Sequence, residues 1–202
     1  MVQNAIIKSC NVIWRYCAVN LMVLALTLAG GVVLGLAPAI AASYWAMARP
    51  EMPLGQIAKG MFAEWRCEFL RTNALMVPMV ILAVGLSQLP QAAFVPVPVA
   101  VIALVLVTEW TIAALYSVSF SRATLRETAT NAMLIIGGRP VRLLIATLAA
   151  PVLVLLATWQ SLLVPYGLFS IHAAIVVGLL GSMRDPSSRP LALPTRTLEA
   201  QS

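Results

Sequence analysis

Three stretches of this chain run with little or no charge for longer than a bilayer is thick. Residues 17–48 hold no Asp, Glu, Lys or Arg over 32 positions, 72–121 hold only Glu109 over 50, and 143–183 hold none over 41. As single helices at 1.5 Å per residue they would measure about 48, 75 and 61 Å, against a hydrocarbon core near 30 Å. Each tract must therefore fold back on itself. The composition closes off the soluble alternative: 61% of the 202 residues are hydrophobic and only 10% are charged, where soluble domains carry about 25% charged residues. Mean hydropathy is +0.93. The expected fold is all-α, a polytopic membrane helix bundle.

Proline and glycine mark the folds. In the second tract, Pro90 through Pro96 and Pro98 leave spans near 73–89 and 98–120. In the third, Thr158 to Gln160 and Pro165 to Gly167 leave spans near 142–158 and 163–183, with Pro151 expected to kink the first of them because it removes a backbone donor. The first tract admits two readings. Lys8 and Arg15, an apolar run and then Ala37-Pro38-Ala39 resemble a cleavable signal. The basic residues argue for a hairpin instead: all 13 Lys and Arg lie at the N-terminus, in 49–71, in 122–142 or in 184–196, and the connections near 88–98 and 158–166 have none. A hairpin puts all 13 on the cytoplasmic side, as the positive-inside rule requires. That gives about five full spans, at 16–36, 73–89, 98–120, 142–158 and 163–183. A short half-helix at 38–48 follows the Gly35/Pro38 break, and both termini are cytoplasmic. Gly30, Gly31 and Gly35 permit close helix approach.

Residues 54–72 read as an amphipathic cytoplasmic helix, with Leu54, Ile57, Met61, Phe62, Trp65 and Phe69 on one face and Lys59, Glu64, Arg66, Glu68 and Arg71 largely elsewhere. Such a helix suits the membrane surface or the protein's own cytoplasmic face, and a partner-docking role is the third reading. Residues 121–138 form a second cytoplasmic helix, stopped by Gly137-Gly138 and Pro140. Residues 1–186 are read as one transmembrane domain and 187–202 as a disordered cytoplasmic tail. Cys10, Cys17 and Cys67 form no CxxC and are expected to be free thiols.

Two membrane-embedded side chains stand out. A carboxylate in mid-span, Glu109, is costly on a lipid face and is expected to face the interior. There it would serve either as a proton or substrate contact, or as a structural hydrogen-bond partner of Thr108, Thr111 or His172. His172, the only histidine, sits in the last span, where a packing role and a path role both remain open. No phosphate loop, HExxH, GxSxG elbow or paired carboxylates appear. One Glu and one His are too few for a typical zinc site. No metal, cofactor, catalytic residue or nucleic-acid partner is expected, and the chain is not read as an enzyme.

The run GLAPAIAASYWAMAR resembles the Gly-x-x-Pro-Ala-Thr-Ala signature of the YesL family of bacterial membrane proteins, a domain of unknown function. Here the signature is carried by Gly35, Pro38, Ala39 and Ala41, with Ile40 where the family has Thr. Phe62, Trp65, Phe69 and Asn73, then Asn131, are similar to later family positions, over roughly residues 10 to 184. The resemblance implies a multi-pass protein of the bacterial cytoplasmic membrane with no assigned catalysis. It also implies a non-enzymatic role beside a carbohydrate ABC importer, with the lipid bilayer and permease subunits as partners. The alternative is a small transporter or channel, alone or as a homo-oligomer, with Glu109 and His172 on the path. An EAA…G docking loop of an importer permease is absent from 49–72 and 121–142.

Overall fold

The computed structural model describes residues 2–92, 96–121, 123–159 and 167–181. Within them every regular element is a helix: α1 (Val2–Ala29), α2 (Val33–Met47), α3 (Leu54–Ala92), α4 (Val97–Phe120), α5 (Leu125–Gly138), α6 (Pro140–Trp159) and α7 (Leu168–Leu180). Four are long and apolar enough to cross a bilayer, in α1, α3, α4 and α6, while α2 and α7 are shorter apolar helices. The chain is thus a multi-pass membrane protein. Of the five full crossings expected, that at 163–183 corresponds to α7, 13 residues long. Its lead-in at 160–166 and the tail at 187–202 lie outside the described residues.

Three hairpins organise the bundle, α1/α2, α3/α4 and α6/α7, and one device closes each. A helix ends with four carbonyls that lack an internal partner and carry the negative end of its dipole. In each hairpin an arginine of the first arm reaches the C-terminal end of the second. Arg15 of α1 donates to the carbonyls of Ala46 (3.2 Å), Arg49, Pro50 (2.8 Å) and Met52 (2.9 Å) at the end of α2. Arg71 of α3 donates to Ser121 (2.7 Å), Ala123 (2.7 Å) and Val118 (3.4 Å) at the end of α4. Arg142 of α6 donates to Leu179 (3.3 Å) in the last turn of α7. Arg49 adds a second cation to the end of α2, donating to the Trp45 carbonyl at 2.8 Å with its guanidinium 4.2 Å from the Trp45 ring centre.

Two boundaries differ from the sequence reading. The turn in the first tract falls at Gly30–Val32, not at Gly35/Pro38, and α2 runs through both of those residues. The reason is the Gly-Gly pair. Gly31 takes φ +77° and Val32 φ +55°, positive values that a glycine enters freely and a valine does not; with ψ −68° Val32 centres a γ-turn, the Val33 N–H bonding to the Gly31 carbonyl at 2.7 Å. The turn satisfies its own donors, Val32 N–H bonding to Thr27 at 2.9 Å and Gly30 N–H to Leu26 at 3.1 Å. Pro38, six residues into α2, deletes only one helical bond. The second difference is that 54–72 is not a separate helix: α3 is one rod of 39 residues, about 58 Å long. Between Gly60 and Pro78 α3 holds no Gly or Pro, so no helix breaker stands at the boundary near 72, and the first half has its own packing partner in α2.

α2 is wedged between two cores. Ala39, Ala42 and Ala46 pack with Val19 and Val23 of α1 and with Ile57 and Met61 of α3. Ala41 and Tyr44 pack with Ile112 and Ala113 of α4, Leu143 and Ala146 of α6, and Ala173 and Val176 of α7. Lipid tails are as apolar as leucine, so helices in a membrane hold together by close van der Waals contact, which small residues allow. The alanines of α2 supply it. Gly30 and Gly35 supply it at the turn: a Cβ on Gly30 would collide with Gly35 Cα and meet Phe69 at 3.1 Å, and one on Gly35 would collide with the Thr27 backbone. These small-residue faces are therefore used inside the chain.

Candidate functional site

Glu109 lies on α4, 7% exposed, inside the bundle as its cost in lipid requires. Neither threonine beside it serves as a partner. Thr108 donates to Leu104 and Thr111 to Val107, each at 2.8 Å within its own helix. Among the described residues no hydrogen bond or ion pair reaches the Glu109 carboxyl, and none joins it to His172.

His172 belongs to a different place, the junction of α2, α6 and α7. Its ring centre lies 6.4 Å from that of Tyr44 and the ring abuts the Ala146 backbone. His172 Nε2 and the hydroxyl of Thr147, next along α6, are both buried without a hydrogen-bond partner. The two side chains singled out for a path are thus separate polar points, not one constellation. Among the described residues no three of His, Cys, Asp and Glu come together.

The signature residues are structural in placement. Pro38 is buried, Ala39 is fully so and Ala41 nearly so. Ile40 packs at the edge of the larger core, in the position of the missing hydroxyl. Trp65 stands between two rings, stacked on Phe62 at 6.1 Å and edge-on to Phe69 at 5.1 Å. Asn73 bonds back to Phe69 at 2.8 Å. Asn131, half-buried on α5, borders a shallow groove with Thr124, Arg126 and Thr130. Phe62, expected on the apolar face of its helix with Ile57 and Met61, is 51% exposed, whereas those two are fully buried.

The polar groups that tie helices together were not singled out in the sequence. Asn20, fully buried in α1, accepts from the Phe169 N–H at 2.9 Å and so caps the N-terminus of α7 from another helix. Ser119 of α4 lies 2.8 Å from the Ala41 carbonyl and 2.7 Å from that of Leu115, sharing its one proton between α2 and its own helix. Glu68 approaches Arg71 Nε at 2.9 Å, a contact that counts as an ion pair but is too bent for a hydrogen bond. Only the capping box of α5 was legible in advance in principle: Thr124 and Glu127 satisfy each other's backbone N–H groups at 2.7 and 3.3 Å, the pattern of Thr-x-x-Glu.

All the quoted signature positions except Asn131 fall within α2 and α3, and that is where the likeness to a known family lies. Residues 16–87 match the family model described as protein of unknown function, DUF624. YesL-type membrane proteins are included in that family. The DUF624 segment takes in α1 from Tyr16, all of α2 and α3 to Leu86-Ser87, that is, the Arg15-closed hairpin and the long rod packed on it. The likeness expected over residues 10 to 184 is shown for this segment. No curated protein and no solved structure matches the chain.

Proposed function

We propose that this protein is a non-enzymatic accessory of a carbohydrate ABC import system, held laterally against the permease in the membrane. The observation that carries this reading is the use made of polar side chains that reach from one helix to another. Arg15, Arg71, Arg142 and Asn20 each cap the end of another helix, which makes the bundle a braced scaffold. The class of partner comes from the resemblance to YesL-type proteins, which implies a place beside such importers. A lateral contact would use the outer apolar flank of α6, where Val152, Leu155, Leu156 and Trp159 are exposed; patches of this kind mark lipid or protein contact. The test is co-purification of the tagged chain after mild detergent extraction. Permease or ATPase subunits should come with it, and their consistent absence overturns the reading.

Glu109 favours a second reading, a small transporter or channel. A carboxyl 7% exposed with no partner among the described residues is suited to a passing proton or cation. Flux into proteoliposomes should then disappear in Glu109→Gln while expression is maintained. Equal flux in the two proteins rejects it.

A further inference from the structure

The outward ridge of α3 separates its charges in a way that neither proposed function uses. Lys59, Ala63, Arg66 and Leu70 recur at i, i+4, i+7 and i+11, one stripe at helical spacing, and all four are exposed. Phe62 flanks the stripe at 51% exposure, and Leu70 is 82% exposed. The acids of the same segment are on the other side. Glu68, half a turn round, is 6% exposed and paired with Arg71, and Glu64 is half-buried. The ridge from Lys59 to Leu70 is therefore cationic and apolar together, with a shallow groove along it lined by Phe62, Ala63, Arg66 and Cys67.

We infer that this ridge is a binding surface for anionic phospholipid headgroups. Two physical requirements meet there. Hydrocarbon would strand Lys59 and Arg66, because a cation on a lipid face is costly; bulk water would leave Phe62 and Leu70 uncovered. The headgroup layer satisfies both, receiving the aromatic and aliphatic groups at the acyl boundary and the cations at the phosphates. Arg66 presents a planar fork suited to two phosphate oxygens, and Lys59 a point charge. Sequence position agrees, since both cations lie in a stretch assigned to the cytoplasmic side, where anionic lipids give a negative surface potential.

The experiment is native mass spectrometry of the purified full chain in detergent, with equal phosphatidylglycerol and phosphatidylcholine. The native chain should retain phosphatidylglycerol preferentially. Each cation near such a surface is worth about a fivefold change, so Lys59→Gln with Arg66→Gln should lower phosphatidylglycerol retention about thirtyfold and leave phosphatidylcholine unchanged. The single Arg66→Gln should lower it about fivefold and serves if the double variant expresses poorly. Unchanged phosphatidylglycerol retention in both variants overturns the inference. So does loss of a co-purifying protein with lipid retention intact, which would make the ridge a protein-docking face. Unchanged lipid retention does not bear on the importer reading, which is tested by co-purification of the native chain.

Discussion

Removing Arg71 should unfold the α3/α4 hairpin from its closed end, and a second substitution should partly repair it. The Arg71 side chain is 16% exposed and that of Glu68 8%, so solvent screening is slight. Arg71→Met deletes donors to three carbonyls and takes the Arg71 guanidinium away from the buried Glu68 carboxylate. Breaking a buried pair by removing one partner costs about 3–5 kcal/mol. Adding Glu68→Met removes the carboxylate that has lost this contact, leaving mainly the deprived carbonyls of Val118, Ser121 and Ala123, about 1–3 kcal/mol. The double variant should thus be the more stable of the two. For a chain of this size 1 kcal/mol moves the melting midpoint by about 2–4 °C, so Arg71→Met should melt about 10 °C low and the double variant about half that. Thermal unfolding in micelles, followed by circular dichroism, reads both. If the double variant melts no higher than the single, the charge-pair reasoning is wrong. If Arg71→Met melts within about 2 °C of native, so is the assignment of Arg71 as the cap of α4.

At the first turn, Gly30→Ala should destabilise strongly, since its Cβ collides with backbone, whereas Gly31→Ala meets nothing within 4 Å and should cost only the left-handed strain of about 1–2 kcal/mol; equal melting shifts would refute this. Asn20→Leu should weaken the start of α7 by about 1 kcal/mol, seen as faster amide exchange at Phe169 with α3 unaffected. In the α5 cap, the backbone N–H of Thr124 and then its hydroxyl hold the Glu127 carboxyl below the usual carboxylate range. A carboxyl lowered in the folded state adds stability above its unfolded value, near 4.3, and loses it as pH falls through the lower folded value. Carboxyl NMR should show Glu127 titrating below the unfolded glutamate value near 4.3, and Thr124→Ala should raise its midpoint; no rise would remove the capping box as the cause.

The helices were legible because tract length and hydropathy leave few choices: α4 falls within one residue of the expected bounds, α6 within two and α5 within four. Continuity of α3 was not, because the charges of 54–71 read as a boundary when Glu68 and Arg71 in fact serve the interior. The turn was misplaced because Pro38 is the stronger breaker by propensity, yet tolerance of one lost bond and the left-handed freedom of Gly31 decide the matter. Glu109 was rightly turned inward, but its separation from His172 depends on helix pairing, which periodicity does not carry. The capping arginines were counted as topology signals, and spacing gives no sign of the carbonyl each one reaches.

In every hairpin the capping arginine precedes the helix it serves: Arg15 before α2, Arg71 before α4, Arg142 before α7. A ribosome therefore delivers each donor to the nascent membrane segment before the carbonyls that need it have been synthesised. Each returning arm is born into a lock already installed, and no half-built hairpin waits on downstream sequence for this closure. Rearranging the chain so that α1 followed α2 would keep the final contacts and reverse that order, exposing the last turn of α2 for the time it takes to translate the remainder.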